Sequence, residues 1–352
     1  MKLTVRSETL IEWLALRLGF VPVPLFDTHI ASMLARSVMA GVELGIFEAL
    51  AEGAKSAAAV AARCGTEAQA TSHLIDALLS SGYLRTRNQL FELTAQSRRW
   101  LLRDSRHSIC DKILLQQVEW RWLTELEGFV RSGRPLDFHS TMSSSERALY
   151  HKSMRALAGI VAPESARRIP VPKDARLILD LGGSHGHYAA EICRRWPLMR
   201  ADVLDLPEAV EKAAPLLAAE SLGKRLVHVT GNVLVSDLGC ERYDLILMSN
   251  LAHHFDDLAN GQIAQRVARA LKPGGVFTIQ EPVATIRPGA GRQTGALLGL
   301  YFALQSAPGA KTWTSDQLVK WQVEAGLRPD RPIQLRTAPG WVQQSACKSP
   351  SP

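Results

Sequence analysis

The sequence predicts an α/β protein in two parts: a helical N-terminal half, then a parallel sheet covered by helices on both faces. Three observations carry this. Residues 1–105 repeat apolar residues at a three-to-four spacing, as in SMLARSVMAGVELGIFEALAEG, which is the period of an amphipathic helix. From Lys173 the period changes: short apolar runs (LILDLG, ADVLDLP, RLVHVTGN, YDLILMSN, VFTIQEPV) alternate with helical stretches such as HYAAEICRRW and DLANGQIAQRVARALKPGG. Strands that are apolar throughout and alternate with helices call for a parallel sheet buried on both faces. Finally, 352 residues suit two domains better than one.

Within residues 1–105 the stretches AAAVAARCG, TEAQATSHLIDALLSSG and YLRTRNQLFELT read as a helix, a turn, a second helix and a small hairpin, a winged helix-turn-helix pattern. Such a unit either reads DNA or packs against another chain. A reading helix exposes Arg, Lys, Asn or Gln toward base edges. The candidate helix 66–80 offers Glu67, Gln69, Ser72 and His73, with no Lys or Arg. No nucleic-acid partner is expected; self-association as a homodimer is. The apolar stretch LIEWLALRLGFVPVPLF is interrupted by Glu12 and Arg17 and closed by prolines, so neither a membrane span nor a signal peptide is expected.

Residues 106–170 form a helical bridge, KILLQQVEWRWLTELEGFV followed by SSERALYHKSMRALAGIVAPESARRI. Trp120, Trp122, His151 and Met154 lie here at helical spacing, where aromatic and Met stripes build either core or the wall of a ligand pocket. Both readings stay open, and Trp120, His151 and Met154 are taken as candidates for a substrate pocket.

A net charge of +7 with Arg scattered rather than clustered describes a solvated surface with some bias toward anionic ligands. The five cysteines stand far apart, without CxxC spacing or a His/Cys cluster, so no metal site is expected and the setting is reducing and cytoplasmic. A short polar tail is expected after Ala346.

In residues 171–352 every motif falls at the carboxyl end of a strand, where parallel sheets bind ligands. LILDLGGSHGHYA turns from strand to helix through Asp180, Gly182, Gly183 and Gly186. Small residues there let the backbone approach a ligand, and the helix start offers unpaired N–H groups. The spacing G-G-x-x-G is not the dinucleotide fingerprint. ADVLDLPEAV then places Asp205 about twenty residues beyond the glycines, where an acid can accept both hydroxyls of a ribose or cap the helix that Pro207 opens. Glycine turn and acid together suit a nucleoside without a pyrophosphate.

LDLGGSHG, VLDLPEAV, HHF, KPGG and EPV together resemble the S-adenosylmethionine-dependent O-methyltransferases of the plant caffeate and bacterial small-molecule type. The resemblance covers nearly the whole chain. It implies a Rossmann-like class I methyltransferase domain over 171–352, behind an all-helical winged-helix dimerisation domain over 1–105, with 106–170 forming part of the substrate pocket. It implies S-adenosyl-L-methionine as cofactor and a small-molecule acceptor. By the same matching Gly182 faces the methionine end of the cofactor and Asp205 its ribose. Asn232 stands where the family has an acid facing the adenine, and Ser249 where it often has Lys. Thr312 stands where a supporting Glu is common.

The fourth strand ends LAHHF. In the resembling family a His in this place is the base, which matches His253, while His254 stands where an acid would be. A phenol is mostly protonated at neutral pH, and an imidazole within hydrogen-bond reach is suited to take its proton. Glu281, at the end of the next strand, is the candidate partner that holds the imidazole tautomer. His254 reads as a neighbour of the helix caps Asp256 and Asp257. The expected function is methyl transfer to a hydroxyl, phenolic in type, of a small natural product. Non-methylating chemistry on the same fold, and a winged-helix regulator with a vestigial catalytic half, remain as alternatives.

Overall fold

A computed structural model describes residues 4–284 and 292–350. The chain divides into two compact units that part between Gln117 and Val118. The parting lies inside the helix Cys110–Leu123, so residues 106–117 of the expected bridge go with the first unit.

In the first unit the helices Ala31–Glu43, Ala57–Cys64 and Ala68–Ser80 bury Met39, Val42, Val60, Ile75 and Leu78 in one core. Gly41 is required where it stands, since a Cβ there would come within 2.8 Å of the Phe47 ring. The hairpin of β1 (Leu84–Arg87) and β2 (Leu90–Leu93) turns at Asn88 and Gln89, both with positive φ, as a tight two-residue turn demands. Glu67 accepts N–H bonds from Gln69 and Ala70, which caps its helix and lowers its pKa. That helix exposes Gln69, His73 and Asp76 and carries no Lys or Arg.

The second unit is built on a sheet of order β5-β4-β3-β6-β7-β10-β8, with β9 also paired to β10. Its strands are β3 (Leu177–Leu181), β4 (Arg200–Asp205), β5 (Leu226–Thr230), β6 (Tyr243–Ser249), β7 (Leu271–Pro282), β8 (Arg328–Pro329), β9 (Ile333–Gln334) and β10 (Trp341–Cys347). The five strands β3 to β7, those read from the sequence, run parallel, and β8, β9 and β10 are antiparallel additions. The sheet is therefore mixed. β10 was not among the strands expected from the sequence; it ends at Cys347, one residue into the expected tail, and its sequence WVQQSAC buries polar residues: Gln343 and Gln344 are at most 1% exposed. Their side-chain NH₂ groups donate to Ser165, Gln322 and backbone carbonyls, while both Oε1 atoms are buried without a partner.

Alternation along the strands sends Leu179, Leu181, Ile246 and Met248 to one face, against Ile263, Val267 and Trp321 of the helices Asp257–Ala270 and Ser315–Glu324. Ile178, Val203 and Leu247 go to the other, against Ala158 and Ala162 of the helix Ser144–Arg168 and Ile192 of the helix His187–Arg195. The chain reverses direction across the sheet between β3 and β6, so a crevice opens beyond their carboxyl ends. Among the described residues no helix is long and apolar enough to cross a membrane.

Candidate active site

Beyond β3 the backbone turns at Gly182, whose φ is +63° and whose N–H donates to the Leu204 carbonyl at 2.8 Å. A Cβ at Gly183 would lie 2.6 Å from the Asp180 carboxyl, so only glycine passes there. Asp180 is 1% exposed, and its Oδ2 has no hydrogen-bond partner. Burial, reinforced by the nearby Asp205 charge, pushes its pKa up to about 7.

Asp205 closes β4. Its Oδ1 accepts from Leu206 N at 2.8 Å and its Oδ2 from Ser184 N at 2.9 Å, while burial raises its pKa against those bonds. It does not cap the helix Pro207–Ala219, whose N-cap is Leu206. A cradle closed to any Cβ, an orphaned carboxylate oxygen in Asp180 and a half-buried carboxylate at the next strand end fit a nucleoside with a cationic tail.

Asn232 stands at the next strand end, after Gly231, whose N–H donates to the Asp205 carbonyl. The Asn232 Oδ1 is engaged locally by Leu234 N at 2.8 Å. Ser249 ends β6, and its Oγ accepts from Gln280 Nε2 at 3.0 Å and Asn250 Nδ2 at 3.1 Å. The Lys-less position is thus occupied by a neutral polar network.

The structure brings His253 and Glu281 together. His253 lies on the short turn Ala252–His254 after β6, and Glu281 lies on β7; they are 4% and 0% exposed. Glu281 Oε2 is 2.7 Å from His253 Nδ1, and its Oε1 accepts from Leu251 N at 2.6 Å and Ala252 N at 2.7 Å. The carboxylate supplies only acceptors on that side, so Nδ1 is the protonated nitrogen and Nε2 is left with its lone pair. Phe302, from the helix Arg292–Gln305, stacks on the imidazole. His254, read from the sequence as a bystander, also faces this wall. Its Nδ1 is 2.7 Å from Ser306 Oγ and its ring stacks with Phe138, which meets Trp122 edge-on. Beyond Trp122 lies a cavity of about 170 Å³ lined by Arg121, Trp122, Glu125, Leu136 and Thr141.

The other candidates scatter. Trp120 is 37% exposed, whereas Trp122 is 2% exposed and belongs to the aromatic wall. Met154 is half-buried on the helix Ser144–Arg168. His151 on that helix points into the glycine turn, with Nδ1 2.6 Å from Ser184 Oγ. Thr312 spends its hydroxyl on the Gly295 carbonyl at 3.2 Å. Phe302 and Ser184 were not singled out from the sequence, since nothing local marks a residue whose partner lies far along the chain. Among the described residues no cluster of His, Cys, Asp or Glu could hold a metal ion.

Residues 130–326 match the O-methyltransferase domain, and residues 25–103 match the O-methyltransferase dimerisation domain. The chain is 26% identical over 318 residues to the mitomycin biosynthesis 6-O-methyltransferase of Streptomyces lavendulae, covering 87% of this chain and 88% of that one. It is 24% identical over 268 residues to the 3-hydroxy-5-methyl-1-naphthoate 3-O-methyltransferase of Streptomyces sahachiroi, covering 74% and 77%. The fold is shared with human N-acetylserotonin methyltransferase in complex with SAM: TM-score 0.80, 23% identity, 98% of this chain and 99% of that one. With its larger domain matched across most of the second unit and its smaller one within the first, this chain belongs to the O-methyltransferase family.

Proposed function

We propose that the protein transfers a methyl group from S-adenosyl-L-methionine to a hydroxyl, phenolic in type, of a small natural product, with His253 as general base. The observation that carries this is the buried His253–Glu281 pair, with a second carboxylate oxygen tied to two backbone N–H groups. When bound, S-adenosyl-L-methionine supplies an electrophilic methyl group on a sulfonium sulfur that leaves as a neutral thioether. Asp205 accepts the ribose hydroxyls, and the turn through Gly182 lets the backbone approach the methionine end. Nε2 of His253 takes the hydroxyl proton as the acceptor oxygen bonds to the methyl carbon, and Glu281 stabilises the imidazolium so formed. The aromatic wall of Phe302, His254, Phe138 and Trp122 suits a flat acceptor. The named relatives, an O-methyltransferase of mitomycin biosynthesis and one of a hydroxynaphthoate, support an acceptor of that kind.

Residues 1–105 serve as a winged-helix unit for homodimerisation and not for DNA, since the exposed face of the helix Ala68–Ser80 carries no Lys or Arg. The deciding experiment incubates the protein with methyl-labelled cofactor and a panel of phenols. A mass gain of one labelled methyl on an acceptor oxygen is expected. Conversion of the acceptor with no methyl gained and the cofactor left unconsumed would instead favour non-methylating chemistry.

A further inference from the structure

Ser184 sits inside the glycine turn with φ +43°, in the left-handed region that side chains other than glycine seldom adopt. Every polar group it has is held from a different element. Its N–H donates to Asp205 Oδ2 at the end of β4, at 2.9 Å. Its carbonyl accepts from His228 Nε2 on β5, at 2.7 Å. Its hydroxyl lies 2.6 Å from Nδ1 of His151, which is 7% exposed on the helix Ser144–Arg168. A strained residue pinned from three sides is what pre-organisation of a binding site requires. The pinned amide in turn restricts rotation of the Asp205 carboxylate.

We propose that His151 is a positioning residue for the cofactor: through Ser184 it fixes the carboxylate of Asp205 that receives the ribose. Its place on the chain gives it a second connection. Tyr150, its neighbour, meets the His151 ring edge-on at 5.6 Å and the Phe138 ring at 5.7 Å, and Phe138 stacks with His254. One continuous line of contacts therefore joins the acceptor wall to the ribose acid, with His151 at the step between aromatic packing and hydrogen bonding. His151 thus belongs to the cofactor side of the site and not to the acceptor pocket.

The inference rests on Asp205 as the ribose acid, and the test separates the two. Calorimetric titration with S-adenosylhomocysteine is made on His151→Ala, Ser184→Ala and the double variant, alongside the acceptor KM at saturating cofactor. Each single change is expected to weaken binding roughly three- to tenfold, the usual reach of one hydrogen bond, and the double variant no more than Ser184→Ala alone. His151→Asn, which keeps a polar atom near the same reach, is expected to recover most of the affinity, which a merely space-filling role would not allow. Additive losses, no rescue by Asn, or unchanged cofactor affinity with a raised acceptor KM would each overturn the proposal. Unchanged affinity in Asp205→Ala would remove the ribose assignment itself, and the relay with it.

Discussion

Phe302 lies face to face with His253, ring centroids 3.8 Å apart and planes within 16° of parallel. The stack fixes the plane in which the imidazole presents Nε2, while Glu281 fixes its rotation within that plane. An aromatic pair of this kind is worth about 0.5–1.5 kcal/mol beyond its buried area. Phe302→Ala is therefore expected to lower kcat by up to roughly tenfold, with the methyl acceptor oxygen unchanged. A loss as large as that of removing His253 would show that Phe302 does more than orient the ring.

His253→Ala should leave cofactor affinity nearly intact and cut turnover by roughly two to four orders of magnitude. Glu281→Gln is the sharper variant. Its carbonyl oxygen can still serve Leu251 N and Ala252 N, which turns its NH₂ toward Nδ1 and drives the proton of His253 onto Nε2. The base nitrogen is then blocked, so the loss should approach that of His253→Ala. His254→Ala should raise the acceptor KM with little change in kcat. Steady-state kinetics on the three variants checks the ranking, and equal losses in all three would indicate collapse of the strand end.

Asp205→Ala should weaken cofactor binding by more than about 1 kcal/mol, as expected when hydrogen bonds to a charged group are lost. Calorimetry on the variant reads this directly.

Asp180 makes stability depend on pH. Its carboxyl titrates at about 7 in the folded protein against an ordinary value of 3.8. Below the lower value both states hold the proton and Asp180 costs nothing. Between the two, the unfolded chain gives up its proton while the folded protein keeps it, so stability falls as pH rises, and above about 7 the full cost is present. Asp180→Asn removes the charge, so its melting temperature relative to the wild type should climb through that window by an amount worth a few kcal/mol, at about 1.4 kcal/mol per pKa unit. A constant difference from pH 4 to pH 8, on the order of those limits, would show that Asp180 ionises normally.

Leu10, Ile11, Phe20 and Met33 are each more than half exposed in the first unit. Faces that apolar are expected to be covered by a second copy; Met33 lies in the matched dimerisation domain, and Leu10, Ile11 and Phe20 stand just ahead of it. Solution mass at micromolar concentration should report a dimer, and Ile11→Asp with Met33→Asp should shift it toward monomer. A monomeric wild type would refute the assembly.

The parallel core and the residues at its strand ends were legible because both are local properties. An apolar run reads as a strand wherever it packs, and Asp205, His253 and Glu281 each sit where such a run stops. His253 and Glu281 could be paired from sequence alone because β6 and β7 are successive strands. The same logic fails for Ser184, whose partner His151 sits on a helix that precedes the sheet, and for Phe302, whose helix follows it. It fails for β10 as well, a strand not read from the sequence: Gln343 and Gln344 are buried polar residues whose NH₂ groups donate to Ser165 and Gln322, and hydropathy does not mark such a stretch as the inside of a sheet.

β10 has a consequence for the order in which the protein assembles. Val342 lies directly beside Glu281 in the sheet, and Trp341 donates its indole N–H to Asn250 at the end of β6. β10 is made after every other strand it joins. A growing chain can pair β3, β4 and β5 and close the glycine turn while β7 is still an open edge, with the Glu281 carboxylate flanked on one side only. We therefore expect the strand end that carries Glu281 to be the last part of the crevice wall to be covered, with β10 closing over it after the glycine turn has formed.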